Sequence, residues 1–275
     1  HQRVVAFLSR YGKPRAVVEG PLAGRSELRR LQYAAHADPG RRAELASCVV
    51  RGKLRQMSWA LRQAARSAAE GEAPRLRDAA GALDDAISRT EGVPRQELLG
   101  VEGEATRRYF SAYGSTLRDS PWKGRHRRPV TDPMNALLSW CYGMTRIAVQ
   151  GAVSVAGLDP GTGFLHGDRA GQPSLVLDLM EEFRPTADLL AAKLWNTRKV
   201  QLQHFAKGVS GAVELTAEGR EILFDSWHQH RLQPVTLRGR SLTVPHAMVP
   251  IVQAHAMANA LRDATPYEAH VRVVR

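Results

Sequence analysis

Gly161-Thr-Gly-Phe-Leu-His166, followed by Ser174-Leu-Val-Leu-Asp178-Leu-Met-Glu181-Glu182-Phe-Arg184-Pro185, is the stretch on which the reading of this chain turns. A histidine closes a glycine-rich loop. Carboxylates then appear at helical spacing on an apolar segment that ends at a proline. A helix turns about 100° per residue, so Asp178 shares a face with both Glu181 and Glu182, and spacing does not choose between them. Two carboxylates converging with an imidazole nitrogen suit a divalent cation. Asp178 and Glu181 sit among Leu175, Leu177, Leu179, Met180 and Phe183. Carboxylates in such surroundings are costly unless paired or metal-bound. Each residue also has an ordinary reading. Glu181-Glu182 is then the wet stripe of an amphipathic helix with Arg184 as partner, and His166 a loop histidine bonded to backbone.

Outward from this stretch the chain reads as mainly helical. Residues 4–8 and 16–18 read as short strands around a Tyr11-Gly12-Lys13-Pro14 turn. An isolated hairpin is marginal in water, so this pair is expected to be the tail of a larger β-rich unit. Gly20-Pro21 and Gly24 mark a linker, and helical character starts at Ser26. Helices are expected over 26–37, 41–69 and 74–89, with Asp38-Pro39-Gly40 as the first break. In the second of these, Leu45, Cys48, Val49, Leu54, Met57 and Leu61 recur at three and four, while Arg42, Arg51, Lys53, Arg55, Arg62 and Arg66 occupy its other faces. Pro94 opens a short helix expected to reach Leu99-Gly100. Asp132 as N-cap and Pro133 in the first turn open a long helix to 156, apolar on most sides and therefore expected at the centre of the core. Further helices are expected over 174–185, 186–204, 216–231 and 245–263, with an irregular or hairpin segment at 206–215. The expected organisation is the end of a β-rich N-terminal domain (1–20), a linker (21–25) and a large helical catalytic domain (26–275).

The chain has 275 residues, 43% of them hydrophobic, and a formal charge of +12 from 39 Lys+Arg against 27 Asp+Glu. Such a surplus points to a polyanion, nucleic acid before membrane surface; its ordinary reading is a solvated surface in an Arg-rich proteome. Cys48 and Cys141 form no metal or disulfide spacing, which fits a reducing, cytoplasmic setting. No apolar run approaches the roughly 20 residues that span a bilayer. The chain begins at His1 without Met, so its natural start is expected elsewhere.

Two further blocks join the opening stretch. The first is Leu99-Gly-Val-Glu102-Gly103-x-Ala105-x-x-x-Tyr109-Phe110. The second is Arg125-x-Arg127-Arg128-Pro129-x-x-Asp132-Pro133-x-Asn135-Ala136-Leu137-Leu138-Ser139, then Tyr142-Gly143. Taken alone, Glu102 could be an acid in a first helical turn, favoured by the dipole. In this order and spacing the three blocks resemble the integrase of the CRISPR adaptation module, from about Gly12 to the C-terminus. The resemblance implies metal ligands Glu102, His166 and Glu181, with Asp178 as a further acid that supports or joins them. It makes Arg125, Arg127 and Arg128 phosphate-contact candidates, with Arg107 and Arg108 beside them. The implied cofactor is Mg²⁺ or Mn²⁺. The implied reaction is attack by the 3′-hydroxyl of a DNA fragment, the prespacer, on a phosphodiester at the edge of a CRISPR leader–repeat. The implied partners are double-stranded DNA, a second copy in a homodimer, and the small ferredoxin-like adaptation protein; the localisation is the prokaryotic cytoplasm. In the family a β-rich domain precedes the helical one. Its missing part is expected to be removed, or joined to a fused or associated prespacer-trimming nuclease. The rival readings are a transposon-encoded integrase of the same superfamily and a non-catalytic helical DNA-binding scaffold.

Overall fold

A computed structural model describes residues 5–8, 14–18, 26–120, 122–126, 130–167, 169–208, 211–237 and 243–270. The fold is mainly α. Strands β1 (Val5–Leu8) and β2 (Pro14–Val18) pair antiparallel, Val5 opposite Val18. The expected hairpin is present, with Pro14 inside the second strand; the rest of its turn and the linker at 21–25 lie outside the described residues.

Helix α1 (Ser26–Ala37) buries Leu28 and Gln32. Asp38 breaks it by capping the next helix: its carboxylate accepts the Arg41 N–H at 2.8 Å, and Pro39 fills the first turn, where a missing N–H costs nothing. Helix α2 (Pro39–Ala65) therefore starts two residues earlier than expected and ends sooner. At 1.5 Å per residue it is roughly 40 Å long, and it packs against α1, α3 (Glu72–Ser88), α4 (Arg95–Tyr113) and α7 (Arg184–Asn196). Leu45, Cys48, Val49, Leu54, Met57 and Leu61 are all buried, as their spacing requires.

Helix α4 is longer than expected. Gly100 and Gly103 do not stop it, because Leu98, Ala105, Tyr109 and Ala112 all bury one face. Each mid-helix glycine costs roughly 1 kcal/mol relative to alanine; burying a single large apolar side chain returns about 1.5–3 kcal/mol. Glu102 consequently sits in the middle of α4, not in a first turn.

Helix α5 (Pro133–Ala156) is capped as expected: Asp132 accepts the Asn135 N–H at 2.8 Å, and Gly157 ends the helix at φ 83°. It packs against α6 (Ser174–Met180), α7 and α9 (Val249–Arg262) and is buried along most of its length. The single helix expected over 174–185 is split. A proline N–H is absent at 185, and its ring would strike the carbonyl four residues back. Helix α6 stops at Met180, residues 181–183 form a turn, and α7 restarts at Arg184 with Pro185 in its first turn. Helix α7 ends at Asn196, short of the expected 204. Strands β3 (Phe205–Lys207) and β4 (Val213–Leu215) form the hairpin suspected at 206–215, and Thr216 caps α8 (Ala217–Leu232) by accepting from Gly219 N–H. Pro245 does not open the last helix. It ends a strand of a third hairpin, β5 (Pro234–Thr236) with β6 (Thr243–Pro245), and α9 begins at Val249. Among the described residues no helix is long and apolar enough to cross a membrane.

After α9 the tail at 263–270 folds back over α2. A Cβ placed on Gly52 would lie 2.3 Å from the Ala269 Cβ, so this approach needs glycine. Gly52→Ala is expected to lower stability by about 1–2 kcal/mol, overriding the roughly 1 kcal/mol that alanine gains in a helix. Urea denaturation checks the sign, and Ala269→Gly in the same chain should restore most of the loss.

Candidate active site

His166 is placed by a loop without regular structure. Residues 157–166 run between α5 and α6, and Phe164 and Leu165 within them are fully buried. Backbone polar groups in such a position must be paired, and here side chains pair them. Gln32, 0% exposed, donates to the carbonyls of Asp159 (2.9 Å) and Thr162 (2.7 Å) and accepts the Asp159 N–H (2.8 Å). Arg42 Nε donates to Phe164 O, and Arg95 to Leu165 O at 2.6 Å. From α6, Asp178 Oδ2 accepts the N–H groups of Phe164 (2.5 Å) and Leu165 (3.0 Å). Its Oδ1 accepts the His166 N–H (2.9 Å) and faces His166 Nδ1 at 2.7 Å. In the neutral imidazole, donation from Nδ1 to this carboxylate turns Nε2 into the nitrogen that can accept or ligate. Gly163 lets this happen, since a Cβ there would meet Asp178 Oδ2 at 2.8 Å.

His166 Nε2 lies 3.8 Å from Glu181 Oε1. Glu181, 4% exposed, is the C-cap of α6. Its Oε1 accepts from Arg184 Nε at 3.0 Å, and its Oε2 lies 2.6 Å from Lys53 Nζ. The same ammonium is bonded to Glu102 Oε1, which also accepts from Thr106 at 2.8 Å. The site thus joins α2, α4, the 157–166 loop and the 181–183 turn. Among the described residues no three His, Cys, Asp or Glu side chains already surround one point; Lys53 stands where Glu102 and Glu181 face one another. The Lys53 ammonium is thus the cation lodged against the buried Glu181 Oε2. Burial opposes ionisation of Glu181, but the charges of Arg184, Lys53 and His166 prevail and hold its carboxyl well below the usual range. Burial likewise opposes charge on His166, yet its hydrogen bond to Asp178 and the charges of Asp178 and Glu181 raise its pKa.

The neighbouring Glu182 points the other way. It accepts from Tyr267 Oη at 2.6 Å, from Gln253 and from the backbone N–H of His270 in the tail. Burial outweighs these donors and pushes its pKa up to about 8. The geometry therefore separates the two glutamates that helical spacing left equivalent.

Of the basic candidates, Arg125 turns inward. It donates to Asn135 Oδ1 at 2.6 Å and to His126 O at 2.9 Å, and its guanidinium lies 5.3 Å from the Tyr142 ring centroid. Arg184 covers the same ring at 5.0 Å. Arg107 and Arg108 are exposed on α4. Arg127 and Arg128 lie outside the described residues.

Lys53 is the residue that sequence reasoning missed. Read as part of a solvated face, it is 3% exposed. A signal was present: it is the single lysine among the arginines of α2, and its immediate neighbours are Gly52 and Leu54.

A family model for CRISPR associated protein Cas1 matches residues 1–229. A CRISPR-associated endonuclease Cas1 of Rhodospirillum rubrum is 37% identical over 283 residues, covering 97% of this chain and 80% of the relative. The chain belongs to the Cas1 family. The fold agrees with that membership. A casposase bound to its integration product matches at TM-score 0.85 with 21% identity, over 96% of this chain and 74% of the other. A chain of a Cas6–RT–Cas1–Cas2 complex matches at TM-score 0.80 with 20% identity, over 99% of this chain and 30% of that one. The matched Cas1 segment contains Lys53, Glu102, His166, Asp178 and Glu181.

A second buried acid, Asp188 on α7, accepts from Tyr109 (3.0 Å) and Tyr142 (2.5 Å). Burial dominates the tyrosine hydrogen bonds and the nearby Arg125 and Arg184, and raises its pKa to about 6. The folded state keeps this proton up to about pH 6, whereas the unfolded chain releases it near 3.8. The contribution of Asp188 to folding stability is therefore expected to fall by about 3 kcal/mol as pH rises between those values. Asp188→Asn should flatten that part of the profile, measured by urea denaturation across pH 3.5–7.

Proposed function

We propose that this Cas1-family protein is a metal-dependent DNA integrase and endonuclease that inserts DNA fragments into a CRISPR array. The observation that carries the reading is that Lys53 bridges Glu102 and Glu181, with His166 Nε2 3.8 Å from Glu181, so that three segments far apart in the chain contribute to one centre. The donor set is two carboxylates and an imidazole, which fits a Mg²⁺- or Mn²⁺-class cation. The cation already lodged between the two glutamates supports the same fit.

Glu102, His166 and Glu181 hold the ion. Asp178 positions His166 through Nδ1 and the loop amides; with four donors already on its oxygens, it acts as support rather than ligand. A bound divalent ion supplies Lewis acidity toward a phosphodiester and a 3′-hydroxyl. Arg184 holds Glu181 ionised and aimed. The basic segment of Arg125, Arg127 and Arg128, with Arg107 and Arg108, gives the DNA backbone its counter-charge. Strand transfer conserves phosphodiester bonds and needs no nucleotide hydrolysis; water in place of the hydroxyl gives cleavage. The solved complex that joins Cas1 to Cas2 supports a small partner of that kind, and a homodimer completes the assembly. On this reading β1–β2 closes a β-rich N-terminal domain (1–20), 21–25 links it, and 26–275 is the catalytic domain.

A labelled duplex with free 3′-hydroxyls, a supercoiled repeat-bearing plasmid and the small partner protein, with and without Mn²⁺ or Mg²⁺, test this reading. Joining should require the ion. Glu102→Ala, His166→Ala and Glu181→Ala should each reduce it by at least about 100-fold while circular dichroism stays unchanged. Retained joining in His166→Ala would sink the site. Arg127→Ala and Arg128→Ala should weaken DNA binding across sequences, each lowering the slope of log K against log salt by about 1.

A further inference from the structure

We infer that Lys53 is the resident counter-cation of the active site: its ammonium closes Glu102 onto Glu181 in the metal-free protein, and the divalent ion binds by taking its place. The inference rests on the metal-site reading above and goes beyond it in assigning a residue outside the ligand set. Lys53 bridges both carboxylates, its side chain is 4% exposed, and it comes from α2, an element that supplies none of the expected ligands. Glu102 and Glu181 sit on α4 and on the 181–183 turn, so nothing local keeps two anions together there. One buried ammonium between them removes the like-charge repulsion. At 2.6 Å the ammonium occupies Glu181 Oε2, so a divalent ion that reaches this oxygen must displace it.

A flexible four-carbon stem allows the ammonium to withdraw without moving α2. Arginine would not serve as well: its planar fork holds carboxylates bidentately and leaves less readily. The other cation on Glu181, Arg184, approaches from the opposite oxygen and is fixed against Tyr142, so it stays when metal binds. Lys53 is therefore a positioning residue with two consequences. It keeps the metal-free site assembled, and it weakens metal binding by competing for the same place.

The test measures metal binding directly, apart from activity. Isothermal titration of Mn²⁺ is run on the wild-type protein, Lys53→Met and Glu181→Ala. Lys53→Met should bind Mn²⁺ at least about tenfold more tightly than wild type, because a positive charge beside the ion is gone. Its metal-free melting temperature should fall by about 5–10 °C, and saturating Mn²⁺ should restore it. Equal or weaker Mn²⁺ binding by Lys53→Met overturns the competition. Absence of Mn²⁺ binding by the wild type, or undiminished binding by Glu181→Ala, instead overturns the metal site and this inference with it. If Lys53→Met does not fold, the wild type answers alone. The chain has only six lysines, Lys13, Lys53, Lys123, Lys193, Lys199 and Lys207, so ¹⁵N-lysine labelling resolves their ammonium signals, with Lys53→Arg assigning the resonance. The Lys53 signal should change on Mg²⁺ saturation; a signal that stays put overturns the displacement.

Discussion

The candidate active centre depends on a loop that cannot satisfy itself. Residues 157–166 are held inside the molecule without helix or strand, and an unpaired buried amide or carbonyl costs about 1–3 kcal/mol. Gln32, Arg42, Arg95 and Asp178 meet that demand from four different helices. The loop's polar groups are therefore paired only where α1, α2, α4 and α6 stand in register around it. His166 inherits its position from this agreement, and Asp178 fixes the imidazole with the same carboxylate that caps the loop amides.

The break enforced before Pro185 has an equally large effect. A continuous helix would have kept Glu181 and Glu182 about 100° apart on one cylinder. The turn at 181–183 instead sends them to opposite environments. Glu181 meets Arg184, Lys53 and His166 and stays ionised. Glu182 meets neutral donors from α9 and the tail, and its proton is retained toward neutral pH. Two adjacent residues of the same type thus divide into a charged group beside Lys53 and His166 and a hydrogen-bonded strut behind it.

Arg184 connects this centre to the basic segment. Its guanidinium and that of Arg125 cover the Tyr142 ring, and the Tyr142 hydroxyl bonds Asp188 at 2.5 Å. Cation–π contacts in desolvated sites are worth about 2 kcal/mol, enough to hold the side chain that aims Glu181. Arg125 of the basic segment and Arg184, which holds Glu181, are therefore braced on one tyrosine.

Composition, caps and periodicity determined what local chemistry can determine. Asp132-Pro133 opened α5 as expected, the 3–4 spacing of Leu45 to Leu61 marked the inner face of α2, and the three motif blocks carried the family. The errors fell where tertiary burial overrode local signals. Gly100 did not end α4 because the apolar face at Leu98 and Ala105 continued past it. Pro245 read as a helix start, but strand pairing with Pro234 claimed it. Glu181 and Glu182 were equivalent by spacing, since a periodic pattern cannot locate a break that a later proline imposes. Lys53 looked like one more cation on a polar face, because sequence records a charge but not the carboxylates that two other helices bring to it. Which residues are acidic, basic or apolar was written in the chain; which of them meet was decided only by packing, because the partners of Lys53 lie 49 and 128 residues away.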